Sequence, residues 1–265
     1  MKSVQLSTML VVLTVVLAGC SGGGVTDANE AQSTDTEATA GGSTASGGLT
    51  LAEADARLRD SGSFTTTWSY SVTEVDGTSS SLTQSYRVDL EASRSLQRLE
   101  TTGSDSGLDF ETFVADGTSY SRYGDGDQVQ YVSSDQQASV FETATGYAAG
   151  FTADLESDAS FVGTETFDGV TVSRYEYDNT DAWSAYNRGA LDSTFETDET
   201  VTVTDFTVAV LVDSDDVARL TTWTLTGETE SGQTVSVDWR YSVTDVGSTT
   251  VDDPDWLADA QAQQS

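Results

Sequence analysis

Phe64-Thr65-Thr66-Thr67-Trp68-Ser69-Tyr70-Ser71-Val72 puts its aromatic and apolar residues at even positions and only Ser and Thr at odd ones. A period of two sends successive side chains to opposite faces of a sheet, so this run is a β-strand with one aromatic face. It leads to Asp76-Gly77, expected as a two-residue hairpin turn with φ > 0 at both central positions. Leu82, Gln84, Tyr86, Val88 and Leu90 then return with the same alternation. The pattern continues along the chain. Leu96–Leu99 lies in a third strand, and Leu108–Val114 runs into Asp116-Gly117. Tyr120–Tyr123 and Val129–Val132 flank Gly124-Asp125-Gly126-Asp127. Asp168-Gly169 joins Phe161–Phe167 to Val170–Tyr177, and Val201–Val212, Val217–Thr226 and Thr234–Val246 close the series. Roughly ten strands with turn signals between them predict an antiparallel meander. The fold class is α+β, mainly β, in one domain over residues 49–257.

Short helices punctuate the meander. Thr50 and Glu53 form a capping box ahead of Leu51, Ala54 and Leu58, which share one helical face. Ser134 with Gln137 makes a second box before Val140, Phe141, Ala144, Tyr147 or Ala148, and Phe151. Asn179 caps a third segment carrying Ala182, Trp183 and Tyr186. Near the end, Asp253-Pro254-Asp255-Trp256-Leu257 reads as an N-cap, a Pro at the first helical position and an apolar anchor. Residues 258–265 read as a polar tail. One octet echoes another: Trp68-Ser-Tyr-Ser-Val-Thr-Glu-Val75 and Trp239-Arg-Tyr-Ser-Val-Thr-Asp-Val246 agree at six of eight positions. No longer match accompanies it, so it reads as shared strand chemistry, with an ancient repeat as the alternative.

The chain has 265 residues, with 44 Asp and Glu against 11 Lys and Arg, no His and one Cys. Without His there is no Ser-His-Asp triad and no imidazole base or zinc ligand. A single Cys excludes an internal disulfide and a CxxC pair. A formal charge of −33 repels phosphate backbones and excludes nucleic acid as a partner. Five Trp, ten Tyr and nine Phe are too many for a disordered acidic chain, so the acidity coats a folded domain. Such a surface, with Lys2 as its single Lys, resembles those of secreted haloarchaeal proteins. An acidic cation-binding protein is the alternative.

Lys2 precedes an apolar stretch from Met9 to Ala18, the layout of a secretory signal peptide over residues 1–19. The stretch falls short of the roughly 20 apolar residues that span a membrane. Leu17-Ala18-Gly19-Cys20 resembles the lipobox of prokaryotic lipoproteins. That resemblance implies cleavage before Cys20, a diacylglyceryl anchor on its thiol, and a protein held at the cell membrane facing outside. Residues 21–48, Gly-, Ser-, Thr- and Asp-rich, form with Cys20 a lipidated, flexible linker over 20–48.

A lipobox, a linker, an opening amphipathic helix and a meander with helical inserts together resemble the half-barrel lipoproteins, the LolA/LolB-like and LppX/LprG-like group, and the acidic lipoproteins of haloarchaea. The resemblance is one of layout over residues 49–257. It implies a curved antiparallel half-barrel sheet with helices packed on or in it, a cavity between sheet and helices, and a lipid or other apolar ligand there, with no catalysis and no cofactor.

The search for other chemistry yields little. No P-loop, dinucleotide fingerprint or nucleophile elbow occurs. Asp125 and Asp213 each start an EF-hand-like spacing that fails at the fifth position, where Val129 and Val217 stand. Both acidic runs read as solvated turns and not as metal sites. The aromatic alternation carries more: Trp68, Tyr70, Tyr86, Tyr120, Tyr131, Trp223, Trp239 and Tyr241 lie on sheet faces, either as core or as the lining of a ligand cavity. Three functions follow: a lipid-anchored binding protein with an apolar cavity, a structural or adhesion-type surface lipoprotein with a filled core, or a carboxylate-based hydrolase. An open apolar cavity of several hundred Å³ separates the first from the second.

Overall fold

The computed structural model describes Leu49, Leu51 and residues 53–103, 110–124, 128–136, 138–146, 159–178 and 199–263. Two meanders merge into one curved, open, antiparallel sheet. Strands β1 (Ser63–Thr73), β2 (Ser79–Asp89), β3 (Arg94–Thr102), β4 (Phe110–Ala115), β5 (Thr118–Tyr123) and β6 (Gln130–Asp135) step outward in one direction. Strands β7 (Ser160–Phe167), β8 (Val170–Asp178), β9 (Val201–Val212), β10 (Ala218–Thr229) and β11 (Thr234–Thr244) step inward from the far end. β1 and β11 pair in the middle, giving the order β6-β5-β4-β3-β2-β1-β11-β10-β9-β8-β7.

The echoed octets meet at that central pairing. Trp68 stands opposite Tyr241, Tyr70 opposite Trp239, and Val72 opposite Val237. A local twofold relates the two strands, but their neighbours break it. The outer partner of β1 is β2, which follows it in the chain, whereas the outer partner of β11 is β10, which precedes it. A duplicated unit would carry its next strand along. The echo is therefore cross-strand packing chemistry arrived at twice.

Asp116 (φ 52°) with Gly117 (φ 74°), and Asp168 (φ 50°) with Gly169 (φ 76°), form the two-residue turns their sequence demands. Asp76-Gly77 does not. Only Gly77 has positive φ (81°), and the connection runs over residues 74–78. The Gly77 N–H donates to the Glu74 carbonyl and the Glu74 N–H to that of Thr78, both at 2.9 Å. Asp76 instead uses its side chain, accepting from the Thr78 N–H at 2.8 Å and hydroxyl at 2.7 Å. That Asx-type closure competes successfully with the tight turn.

On the front face lie Phe64, Trp68, Tyr70 and Val72 of β1, Val88 of β2, Trp223 and Leu225 of β10, and Val237 to Val243 at odd positions of β11. Helices α1 (Ala54–Asp60) and α2 (Val140–Thr145) pack here through Leu58, Val140, Phe141 and Ala144. Phe64 and Phe141 meet edge to face at 5.8 Å and are 0% and 1% exposed. Burial of such side chains contributes about 1.5–3 kcal/mol each. The helix starts differ from expectation. α1 begins at Ala54 with Glu53 in the cap position. α2 is capped by Ser139, whose hydroxyl accepts from the Glu142 N–H at 3.2 Å, while Ser134 belongs to β6 and pairs with Ser119.

The back face carries a smaller cluster of Phe113, Val251, Trp256 and Ala260, closed by α3 (Leu257–Ala262). Residues 258–262, expected in a polar tail, are thus helical, and Ala260 is fully buried. Pro254 precedes the helix, accepting the Leu257 N–H at 2.9 Å. Glu111 clamps this cap to the sheet. Its buried carboxylate accepts from Arg98 Nε (2.8 Å) and Nη2 (2.6 Å) and from the Trp256 indole (2.5 Å), with Arg122 at 3.9 Å. Asp213 is buried too, contrary to its reading as a solvated turn. It pairs with Arg219 at 2.5 Å and accepts the Asp215 and Val217 N–H groups, fixing the β9–β10 turn.

The leader and lipobox, the linker, Thr50, Leu108, Asp125-Gly126-Asp127, Gln137, the Tyr147, Ala148 and Phe151 continuation of α2, and the segment with Asn179, Ala182, Trp183 and Tyr186 lie outside the described residues. Among the described residues no helix is long and apolar enough to cross a membrane, and no three acidic side chains converge as a metal site requires.

Candidate functional site

A cleft of about 420 Å³ opens on the front face where α1, α2, β11 and the β9–β10 turn meet. Its walls are built by period. Leu51, just before α1, joins Ala54 and Leu58 on one side of that helix, Phe141 and Thr145 share one side of α2, and Tyr241 and Val243 one face of β11. Val217 and Ala218 close the far end. Charges stand at the rim: Asp55, Arg59 and Glu142 are exposed side chains on the two helices. The Arg59 guanidinium lies 3.6 Å above the Phe141 ring, a cation–π contact that covers apolar surface while leaving the charge in water.

Tyr241 is the polar group at the cleft floor. Its hydroxyl donates to the Ala144 carbonyl at 3.4 Å, and the Thr66 hydroxyl donates to the same carbonyl at 3.2 Å. Burial pushes the phenol pKa up; the Thr66 hydrogen bond opposes the shift and the negative charge of Asp55 adds to it. The group is therefore a neutral donor throughout the ordinary pH range, and the floor carries no charge.

The eight aromatic candidates divide. Six lie on the front face: Trp68, Tyr70, Tyr86, Trp223, Trp239 and Tyr241. Of these, Tyr241 reaches this cleft. Trp223 and Trp239 stack at 6.4 Å with planes 6° apart, and Trp239 stacks on Tyr241 at 6.4 Å. Both tryptophans are 5% exposed, so they are packed core. Trp68 and Tyr70 stack at 6.5 Å and are half-buried. Tyr120 and Tyr131 are on the back face, beneath α3 and next to Phe113 and Trp256. The residues that sequence reasoning missed as a site are Val217, Ala218 and the inner faces of α1 and α2. The periodicity of the two helices was legible; the convergence of these residues depends on tertiary packing.

A second, smaller hollow of about 260 Å³ lies on the same face across α2, over β2 to β6.

No curated protein matches the sequence. Among solved structures the fold is similar to lipoprotein LppX of Mycobacterium tuberculosis, at 13% identity over 75% of this chain and 97% of that one, with TM-score 0.35. It is similar also to LprF of Mycobacterium bovis (12%, 78% and 99%, TM-score 0.34) and to a LolA superfamily protein of Nitrosomonas europaea (13%, 78% and 94%, TM-score 0.24). LppX and the LolA superfamily are the groups that the layout of the sequence resembles. A model described as a family of unknown function (DUF7537) matches residues 5–260, and the chain belongs to that family.

Proposed function

We propose that this chain is a lipid-anchored, extracytoplasmic protein of a high-salt environment that takes the apolar chain of a lipid or similar ligand into the cleft under α1 and α2, without catalysis. The observation that carries the reading is the cleft itself: about 420 Å³, apolar along Leu51, Leu58, Phe141, Val217 and Val243, uncharged at its floor and charged at its rim. That volume falls in the range of small-molecule sites. Each methylene moved from water into it contributes about 0.8 kcal/mol, and the rim leaves a polar head in solvent. Wild-type protein should bind a fluorescent palmitate analogue at molar salt. Ala54→Trp, which fills the cleft from α1, should weaken binding roughly tenfold or more, while Ala56→Trp on the exposed side of α1 should not. Equal affinity in the two variants refutes the assignment.

The buried stack of Trp223 and Trp239 favours a second reading, a surface lipoprotein whose centre is fully packed. A wild type that binds no palmitate analogue decides for it.

Anchoring rests on Leu17-Ala18-Gly19-Cys20. Two acyl chains on Cys20 supply stable membrane attachment, and residues 21–48 would span roughly 30 Å as a random coil, enough to let the domain stand off the surface. Cys20→Ser should release the protein from membranes or leave uncleaved precursor. Detergent-phase partitioning equal to wild type would remove the anchor from the reading.

A further inference from the structure

The hollow across α2 is lined by more hydroxyl and amide side chains than the cleft, although in both most of the surface is carbon. Strand register lays two rows of side chains along its floor. Tyr86, Gln97 and Thr112 form one row across β2, β3 and β4, and Ser95, Val114, Ser119 and Ser134 the other across β3 to β6. Adjacent strands are about 4.8 Å apart, so these groups present a grid of hydroxyls and an amide on one surface. Some of their capacity is already used: the Gln84 amide donates to the Tyr86 hydroxyl at 2.9 Å, and the Thr112 and Ser121 hydroxyls are hydrogen-bonded to each other at 3.0 Å. Ser95, Gln97, Ser119 and Ser134 make no side-chain hydrogen bond among the described residues, although all four line the hollow.

The charge pattern narrows the ligand. In a chain with 44 acidic residues, Asp135 is the one charged side chain among the described residues lining this hollow. Among the described residues no cation lines the hollow to hold a phosphate or carboxylate, and one carboxylate is too few for a metal ion. Ser, Gln and Tyr side chains both donate and accept, and the groups they match are hydroxyls, which do the same. Such pairing does not weaken at molar salt, where charge-based recognition is screened within about 3 Å.

We propose that the hollow over β2–β6 is a binding site for a neutral polyhydroxylated group, a sugar ring or cyclitol, separate from the apolar cleft and independent of what that cleft binds. Gln97, Ser119 and Ser134 are its main hydrogen-bonding residues, and Thr112 and Ser95 complete the floor.

The test is saturation-transfer NMR at molar salt with methyl α-glucopyranoside and myo-inositol as probes, beside tetrahydropyran-2-methanol and inorganic phosphate. Wild type should transfer saturation to at least one polyol and to neither control. The paired change Gln97→Leu with Ser119→Ala removes donors without adding bulk, and should lower affinity roughly tenfold, since buried groups left without partners penalise the complex. Ser134→Trp, an exposed position on the end strand β6, blocks the hollow without touching the core and should have the same effect. Palmitate binding should be unchanged in both variants. No transfer to either polyol in wild type overturns the proposal, as does transfer that survives both variants or is matched by tetrahydropyran-2-methanol.

Discussion

In molar salt the domain should melt cooperatively, and on dilution to about 0.1 M it should lose its far-ultraviolet β signature without added denaturant. Cleavage at Cys20 would remove Lys2 and leave ten Arg against 44 acidic residues, a side-chain charge of −34. Even one Arg for one carboxylate leaves 34 acids without a counter-charge. Several Arg are committed to specific pairs: Arg219 with buried Asp213, Arg98 with Glu111, and Arg174 with Glu165 and Glu176. They do not neutralise the surface as a whole. At molar ionic strength the screening length is about 3 Å and the remaining carboxylates scarcely sense one another. At 0.1 M it is about 10 Å, twice the spacing of adjacent strands, and the self-repulsion acts across the whole sheet. A domain of this size has a net stability of only about 5–15 kcal/mol, so the repulsion need not be large per pair to exceed it. Circular dichroism along a salt dilution series is the measurement. Screening predicts that sodium, potassium and choline chlorides protect alike and that sucrose at equal osmolality protects less. An unchanged spectrum and Tm at low salt would show that the acidity serves solubility and not folding.

How far the sequence announces this molecule depends on which interactions decide each feature. Strands were legible because period two is a backbone property: from Phe64 to Val72 and from Thr234 to Thr244 the alternation and the pairing agree. Asp116-Gly117 and Asp168-Gly169 were legible because few residues tolerate φ > 0 twice in succession. Helix starts were not. Ser134 and Ser139 each precede Gln or Glu by three residues, and locally the two boxes are equivalent. The hydrogen bonds that β5 offers to residues 130–135 take Ser134 into the sheet and leave Ser139 to cap α2.

The division of the aromatics was hidden for a related reason. Parity holds within a strand, but it is reset at each loop that is not a two-residue turn. Between Tyr86 and Tyr120 the chain passes through residues 90–93 and 103–109. The register runs Tyr86 to Gln97 to Thr112 to Ser121, which sends Tyr120 to the back. The cleft was hidden for a stronger reason. Its walls come from three separate parts of the chain, residues 51–59, 141–146 and 217–243, and no local pattern encodes their meeting.

The echoed tryptophans should therefore behave differently. Trp239 is 5% exposed, stacks on Trp223 and on Tyr241, and stands opposite Tyr70 in the register. Trp239→Ala leaves a void between two aromatic neighbours that the rigid sheet cannot close, at a cost of about 3–5 kcal/mol. Trp68 occupies the equivalent place in the sequence echo, but it is half-buried and stacks on Tyr70. Its truncation removes less buried area and opens a hollow that water enters, so about 1–2 kcal/mol is expected. Urea melts at molar potassium chloride measure both values, since guanidinium would itself act as salt. Were both tryptophans the wall of a shared ligand cavity, the two losses would be small and similar, and both variants would lose the palmitate analogue. The burial of Trp239 leads us to expect the opposite result. Neither tryptophan lines the 420 Å³ cleft, so each folded variant should bind the analogue with wild-type affinity, and only Trp239→Ala should shift the urea midpoint strongly. Equal shifts would mean that the two sides of the central β1–β11 pairing are packed alike; loss of binding in either variant would move the ligand from under α1 and α2 to the aromatic floor of the sheet.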